Sequence, residues 1–440
     1  MKVIRMNESG ASQLLADLRA SLGVDQGLVA DWQTEVSDRS PLESVREVLS
    51  AVRDRGDDAV VEYTRTFDKA ALTPDEFRVP QSEIDQAVKA TSPEVILAME
   101  TAVENIRRYQ AATLAGDPGD VVGGGRRLSM AYRPLRRVGV YVPAGATAYP
   151  SSVLMTAVPA QVAGVAEIAL VTPPAQKGRA RTPILAACGV AGVTEVYRLG
   201  GVQAVAALAY GTRTVPAVDK IVGPGNQFVQ LAKKEVQGLV DIDIFAGPSE
   251  VLVIADASAN PRHVAVDLLS QAEHNPGCCI LVTDDASLLE RVENELEVQL
   301  RQMTRADVIR DALERYSALV LVADMDQACD VANFLAPEHL QIVTASPRNL
   351  LARITAAGAV FLGPWTPVAV GDYVAGPSHT LPTGGTARFA SGLSANDFRK
   401  RMSVIEYTRD ALAEDAPHVA ALADQERFEA HARSVTVRLE

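Results

Sequence analysis

The chain carries only four cysteines in 440 residues, Cys188, Cys278, Cys279 and Cys329, with no C-x-x-C spacing. That excludes a disulfide framework and fits a reducing cytoplasm. No apolar run reaches 18 residues, so no transmembrane helix is expected. The opening segment MKVIRMNESGASQLL lacks the apolar core of a signal peptide. There is no sustained basic run and the net charge is −13, which argues against nucleic acid or an anionic membrane as partner. The G-x-G-x-x-G fingerprint of a dinucleotide-binding turn is missing. Internal repeats and low-complexity segments are missing too.

What is present is a soluble globular composition with length for two or more domains and a large core. Residues 1–30 read as a polar arm. Ser40-Pro41 opens an amphipathic helix through about Arg55, and Ser92-Pro93 opens a second through about Tyr109. In each, serine suits the N-cap and proline the first helical position. The Gly-rich stretch 115–128 reads as a turn or hairpin, with a boundary near Arg137. From there short apolar strands, VGVYV (138–142), EIALVT (167–172), EVYRL (195–199) and DKIVG (219–223), alternate with Ala-rich helical segments. The alternation resumes with VLVIA (251–255), CILVTD (279–284), ALVLVA (318–323), HLQIVT (339–344) and AVFLG (359–363). This predicts an α/β protein with two doubly wound, mostly parallel, Rossmann-like domains. The expected division is an arm (1–30), a substrate and metal domain (31–137 with 245–388), an inserted nucleotide-binding domain (138–244) and a helical tail (389–440). No strand pattern is visible after about Phe389. Such a tail must bury its apolar face on something, and a second copy of the chain is a common answer.

Chemistry concentrates in Phe245–Pro276, a turn, a strand, and a helix that Pro261 starts and Asn275-Pro276 ends. Gln271 and His274, three apart, share a helix face and can point at one spot. Alone, Q-x-x-H is more often an ordinary polar face. Three of the six histidines stand in unusual company. His339 follows Glu338 in N-F-L-A-P-E-H-L, where a helix breaks at Pro337 and a strand begins, so two adjacent polar side chains can reach one site. His379 lies in V-G-D-Y-V-A-G-P-S-H-T-L-P-T, a loop after a strand that also carries Asp372. His431 follows Glu426 by five residues in the tail. Gln271, His274, Asp372 and His431 would supply two imidazoles and two oxygens, a borderline set suited to zinc with coordination left for a substrate. Spacing alone does not bring them together. For a nucleotide, the carboxyl ends of the strands are the expected place. There G-P-G-N (223–226) follows a strand and opens a helix, which suits a phosphate; a tight turn is an equally good reading. Tyr141 ends another strand, and Gln203 follows the Gly200-Gly201 turn.

The strings A-G-P-S-E-V-L-V-I-A-D, L-L-S-Q-A-E-H, A-P-E-H-L and G-D-Y-V-A-G-P-S-H-T-L-P-T strongly resemble the histidinol dehydrogenase family, collinearly from about residue 30 to the end. The resemblance implies zinc ligands at Gln271, His274, Asp372 and His431 and an acid/base pair at Glu338 and His339. It implies substrate contacts at Ser249, His379 and Glu426, with NAD contacts at Tyr141, Gln203 and Asn226. Ser378 stands where the family more often has asparagine; it adjoins His379 and removes no ligand. The implied reaction takes L-histidinol, two NAD⁺ and water to L-histidine, the last step of histidine biosynthesis, in a homodimer whose tail completes the neighbour's site. His339, with an expected near-neutral pKa, suits the base, and Glu338 suits activation of a hydrating water. Zinc would grip the substrate's imidazole and amine.

Three other readings compete. A covalent aldehyde-dehydrogenase-like route needs a cysteine nucleophile, and all four cysteines fall in strand or helix text that reads as core. A zinc hydrolase could use Q-x-x-H with E-H, and only the nucleotide site argues against it. A non-catalytic binding protein would have little use for an intact set of ligands and acid/base residues.

Overall fold

The computed structural model describes residues 1–22, 40–144, 147–175, 178–245, 247–274 and 277–440. Arm residues 23–30 and the expected helix terminator Asn275-Pro276 lie outside the described residues. In chain order the strands are β1 (Lys2–Arg5), β2 (Val121–Gly123), β3 (Arg126–Pro134), β4 (Arg137–Tyr141), β5 (Glu167–Val171), β6 (Glu195–Tyr197), β7 (Lys220–Val222) and β8 (Asp241–Ile242). They continue as β9 (Ser249–Ala255), β10 (Gly277–Thr283), β11 (Ala318–Leu321), β12 (His339–Val343), β13 (Ala359–Leu362) and β14 (Arg399–Tyr407). Two sheets are wholly parallel, one ordered β6-β5-β4-β7-β8 and the other β1-β11-β10-β9-β12-β13. Apart from β1, each runs outward from its first strand and then reverses, so each has a switch point: between β4 and β7, and between β9 and β12.

The expected strands form because their residues are predominantly apolar, as a sheet covered on both faces requires; β4 and β10 are buried at every position. The helix Gly201–Tyr210 (GVQAVAALAY) is apolar on nearly every side and correspondingly buried from Val202 to Ala209. The helices between residues 41 and 113 differ from the expected grouping with 245–388. Val45, Val48, Leu49 and Val52 share a core with Ala204, Val205 and Leu208. Ile84, Met99, Val103 and Ile106 share one with Val138, Val140 and Ile184. They pack on the first sheet's crossover helices, Pro41–Arg55 against Gly201–Tyr210 and Gln81–Ala90 and Pro93–Thr113 against Thr182–Ala191. Ser40 caps the helix Pro41–Arg55 with a reciprocal bond to Glu43, whereas Ser92 makes no side-chain cap bond to the helix Pro93–Thr113.

Both ends of the chain depart from expectation. The arm contributes β1, which pairs with β11, and a helix, Ala11–Leu22, whose Leu15, Leu18 and Leu22 pack on the second sheet. The tail is not all helix: β14 pairs antiparallel with β3 over nine residues, and β3 with β2. Its text, RKRMSVIEY, lacks period-two patterning because almost none of it is buried. The helices Arg409–Gln425 and Glu429–Thr436 follow, with Leu422 of the first and Phe428 between them exposed. Among the described residues, no helix is long and apolar enough to cross a membrane.

Candidate active site

The expected acid/base residues sit at the amino edge of the second sheet, not at a carboxyl edge. Ser249 and His339 are the first residues of β9 and β12, and they lie in neighbouring, in-register strands. A crossover helix in a parallel sheet runs back to the amino edge, so the last turn of one following β9 must return beside Ser249. That helix is Pro261–Ala272, and its Gln271 donates to the Ser249 hydroxyl in a short hydrogen bond. At Gly277 a Cβ would stand 2.1 Å from the Gln271 carbonyl oxygen, so only glycine lets β10 begin this close to the helix end. The chain after β13 makes the same return through the short helix Val368–Tyr373, which carries Asp372.

Glu338 and His339 reach one spot through the break expected at Pro337, with Ala336 ending the preceding helix in the left-handed conformation. The Glu338 carboxylate accepts from Ser249 Oγ at 2.6 Å and from the Glu250 N–H at 2.8 Å. His339 Nδ1 lies 2.9 Å from the Glu250 carbonyl, to which it donates. Its Nε2 is buried without a hydrogen-bond partner, 3.6 Å from Asp372 Oδ1. Burial disfavours the His339 imidazolium, but the carboxylates of Glu338 and Asp372 and the Glu250 carbonyl outweigh it and lift the pKa to about 9. That is above the near-neutral value expected from sequence. Burial raises Glu338 in turn.

Asp372 acts electrostatically on His274, His339 and His379, so these four side chains occupy one neighbourhood. A cavity of about 450 Å³ opens here, lined by His339, Asp372, His379, Leu381 and Tyr109. Ser378 is buried, and its hydroxyl donates to the Met155 carbonyl at 2.8 Å, tying the His379 loop to the helix Pro150–Ala163 that follows β4. The amino edge of the second sheet is thereby fastened to an element at the carboxyl edge of the first.

The carboxyl edge of the first sheet holds the three expected nucleotide contacts. Tyr141 ends β4, its phenol oxygen accepting the Gly201 N–H at 3.0 Å. Gln203 is wholly buried, donates to Asp68 Oδ2 at 2.9 Å, and leaves its own amide oxygen without a partner. Burial lifts Asp68 to about 6. Asn226 caps the helix Gln227–Val236 by accepting from the Val229 N–H at 3.1 Å. Tyr141 and Gln203 flank one side of the β4/β7 switch point and Asn226 the other.

Glu426 and His431 are not brought to this site within one chain. Both are exposed; Glu426 closes the helix Arg409–Gln425, and His431 stacks on Phe428 at 5.0 Å. Among the described residues, no group of three or more His, Cys, Asp or Glu could hold a metal. Gln271, His274 and Asp372 remain as an amide oxygen, an imidazole and a carboxylate around the buried His339, a donor set that fits zinc once a further ligand is supplied.

Sequence reasoning missed Glu250. It is 2% exposed; its N–H and C=O orient Glu338 and His339, and its carboxylate accepts from the Gly384 N–H at 2.5 Å. Burial, reinforced by Glu338, raises it to about 8. The signal was a charged residue inside the otherwise apolar strand S-E-V-L-V-I-A. The cysteines are buried, with Cys278 Sγ donating to the Tyr316 carbonyl and Cys279 Sγ to the Leu268 carbonyl. Burial pushes the Cys279 thiol up to about 12, the opposite of an activated nucleophile.

The histidinol dehydrogenase family profile matches residues 32–439. Histidinol dehydrogenase of Rhodopirellula baltica is 50% identical over 440 residues, covering 99% of this chain and 96% of the relative. That of Moorella thermoacetica is 50% identical over 397 residues, covering 90% of this chain and 94% of the relative. A crystal structure of histidinol dehydrogenase from Elizabethkingia anophelis superposes with a TM-score of 0.90 at 36% identity, covering 100% of this chain and 98% of that one.

Proposed function

Because the chain belongs to the histidinol dehydrogenase family and is an NAD-dependent oxidoreductase, we propose that it performs the zinc-dependent, four-electron oxidation of L-histidinol to L-histidine. The reaction passes through the aldehyde, consumes two NAD⁺ and one water, and is the final step of histidine biosynthesis in the cytoplasm. The observation that supports this reading most directly is the buried convergence of Glu338 and His339 with Ser249, Gln271 and Asp372.

In the first half-reaction the carbinol carbon gives a hydride to NAD⁺ while the hydroxyl proton passes to His339 Nε2, the ring nitrogen left free by the Nδ1–Glu250 bond. Glu338 then takes a proton from the water that adds to the aldehyde, while His339 returns its proton to the carbonyl oxygen, which completes the hydrate and frees Nε2. The hydrate loses a second hydride to the second NAD⁺ and its proton again to His339. Tyr141, Gln203 and Asn226 are the residues assigned to the nucleotide, at a strand edge without a glycine-rich clasp. A loosely held nucleotide suits a cycle in which the first NADH leaves while the aldehyde stays.

Gln271, His274 and Asp372, with His431, are the residues assigned to zinc, and Ser249, His379 and Glu426 to substrate. When bound, zinc supplies an anchor for the substrate's imidazole and amine and offsets the Asp372 charge that otherwise favours His339 in its protonated form. Exposed His431 and Glu426, on a tail that displays Ile405, Leu422 and Phe428 to solvent, support donation of the tail to a second subunit in a homodimer.

The test is NADH formation from histidinol by purified protein, with and without a chelator. Expected are activity as isolated, its loss on chelation, and its return with added zinc. Full activity in a rigorously metal-free sample would overturn the zinc assignment, and no NADH from histidinol in the zinc-loaded protein would overturn the function.

A further inference from the structure

Beneath the turn Gly223-Pro224-Gly225-Asn226, two charged side chains are sealed from solvent. The Lys233 side chain is 0% exposed and that of Asp243 1%. Lys233 Nζ donates to Asp243 Oδ1 and, at 2.9 Å, to the Gly223 carbonyl oxygen. Asp243 Oδ2 accepts the Gly223 N–H at 2.6 Å. One ion pair therefore holds both backbone polar groups of a single glycine.

That glycine lies where β7 ends. Its φ is +111°, and a Cβ there would stand 2.1 Å from the Tyr141 carbonyl oxygen, so Gly223 lies directly against the end of β4. Three residues on, Asn226 caps the helix from which Lys233 reaches back. The clamp thus fixes the turn from below, between Tyr141 on one side and Asn226 on the other. Stability gives little reason for such an arrangement. Removing two charges from water is costly, and apolar residues of similar volume pack a core as well or better. A buried pair with three directed hydrogen bonds does what apolar packing cannot, which is to fix the orientation of a particular peptide unit.

We propose that Lys233 and Asp243 are positioning residues of the nucleotide site, a clamp that sets the Gly223–Asn226 turn against Tyr141 in the geometry NAD⁺ requires. This rests on the reading of NAD⁺ as the oxidant and of Tyr141 and Asn226 as its contacts.

The experiment compares the zinc-loaded wild type with Lys233→Met, with the double variant Lys233→Met/Asp243→Asn, and with Val292→Ala. The double variant avoids an unpaired buried carboxylate; its amide oxygen still accepts the Gly223 N–H while the donor to the Gly223 carbonyl is gone. Val292, buried in the second sheet's core, serves as a control for general destabilisation. NAD⁺ binding is measured by calorimetric titration, alongside steady-state kinetics and melting temperature. The clamp predicts that NAD⁺ Kd and KM rise about tenfold in both lysine variants while the histidinol KM and saturating kcat stay within about twofold. Val292→Ala lowers the melting temperature and leaves NAD⁺ binding alone. NAD⁺ affinity within about twofold of wild type in the folded double variant overturns the clamp but not the proposed reaction. So does an equal loss of affinity in Val292→Ala. Failure of the wild type itself to bind NAD⁺ overturns both.

Discussion

His339 Nδ1 stands 2.9 Å from the carbonyl oxygen of Glu250, one strand away, so that nitrogen carries a proton in either charge state. Proton exchange with a substrate falls to Nε2, and the two half-reactions share one base. His339→Asn is therefore expected to damage alcohol oxidation and aldehyde oxidation alike, by about 10²-fold or more in kcat. Glu338→Gln is expected to slow aldehyde-to-acid turnover much more than alcohol-to-aldehyde turnover. Assays started from histidinol and from the aldehyde measure the two separately; equal losses for Glu338→Gln would refute the division of roles.

Glu250 makes the fold's stability depend on pH. Its pKa is raised to about 8 from an ordinary 4.5, so between those values the folded chain keeps a proton that the unfolded chain releases. Stability is lost as pH rises through that window. Glu250→Gln keeps an acceptor for the Gly384 N–H and does not titrate. Its melting temperature should exceed that of the wild type by a margin that widens from about pH 5 to about pH 8. Parallel melting curves across that range would show that Glu250 does not titrate there.

Donation of the tail in trans is testable by subunit exchange. His339→Ala and His431→Ala should each be inactive alone. In a mixed dimer with shared sites, one site carries both lesions and the other carries none. Random pairing then restores activity to about a quarter of wild type. If the tail serves its own subunit, every site keeps one lesion and the mixture stays inactive, with exchange confirmed independently by differently tagged subunits.

No cysteine should be needed for chemistry. Cys278 and Cys279, in β10, donate to the Tyr316 and Leu268 carbonyls, and Cys188 and Cys329 are buried in helices. Replacing each by alanine or serine should leave kcat within a few-fold, at some cost in melting temperature. Loss of turnover in a folded variant, especially with accumulation of aldehyde, would revive the covalent route.

The sequence by itself determined the two parallel sheets, because a strand buried on both faces reads as a nearly continuous apolar run, and text such as CILVTD shows that directly. It also singled out candidates for the chemistry, since Q-x-x-H and P-E-H put polar groups at a helix end and a helix break. It could not show that these groups gather at the amino edge of the second sheet. That follows from the return path of each crossover helix and from the β9–β12 pairing, which brings together residues 88 or 89 positions apart in the chain. The same limit hid β14. An exposed strand has no buried face to write an alternating pattern, so only its pairing with β3 reveals it. Nothing in the sequence marks Glu250, Lys233 or Asp243 as buried. The tertiary structure alone decided that each is buried and held by backbone groups, because burial and hydrogen-bond partners are set by what the fold brings alongside, not by neighbours in sequence.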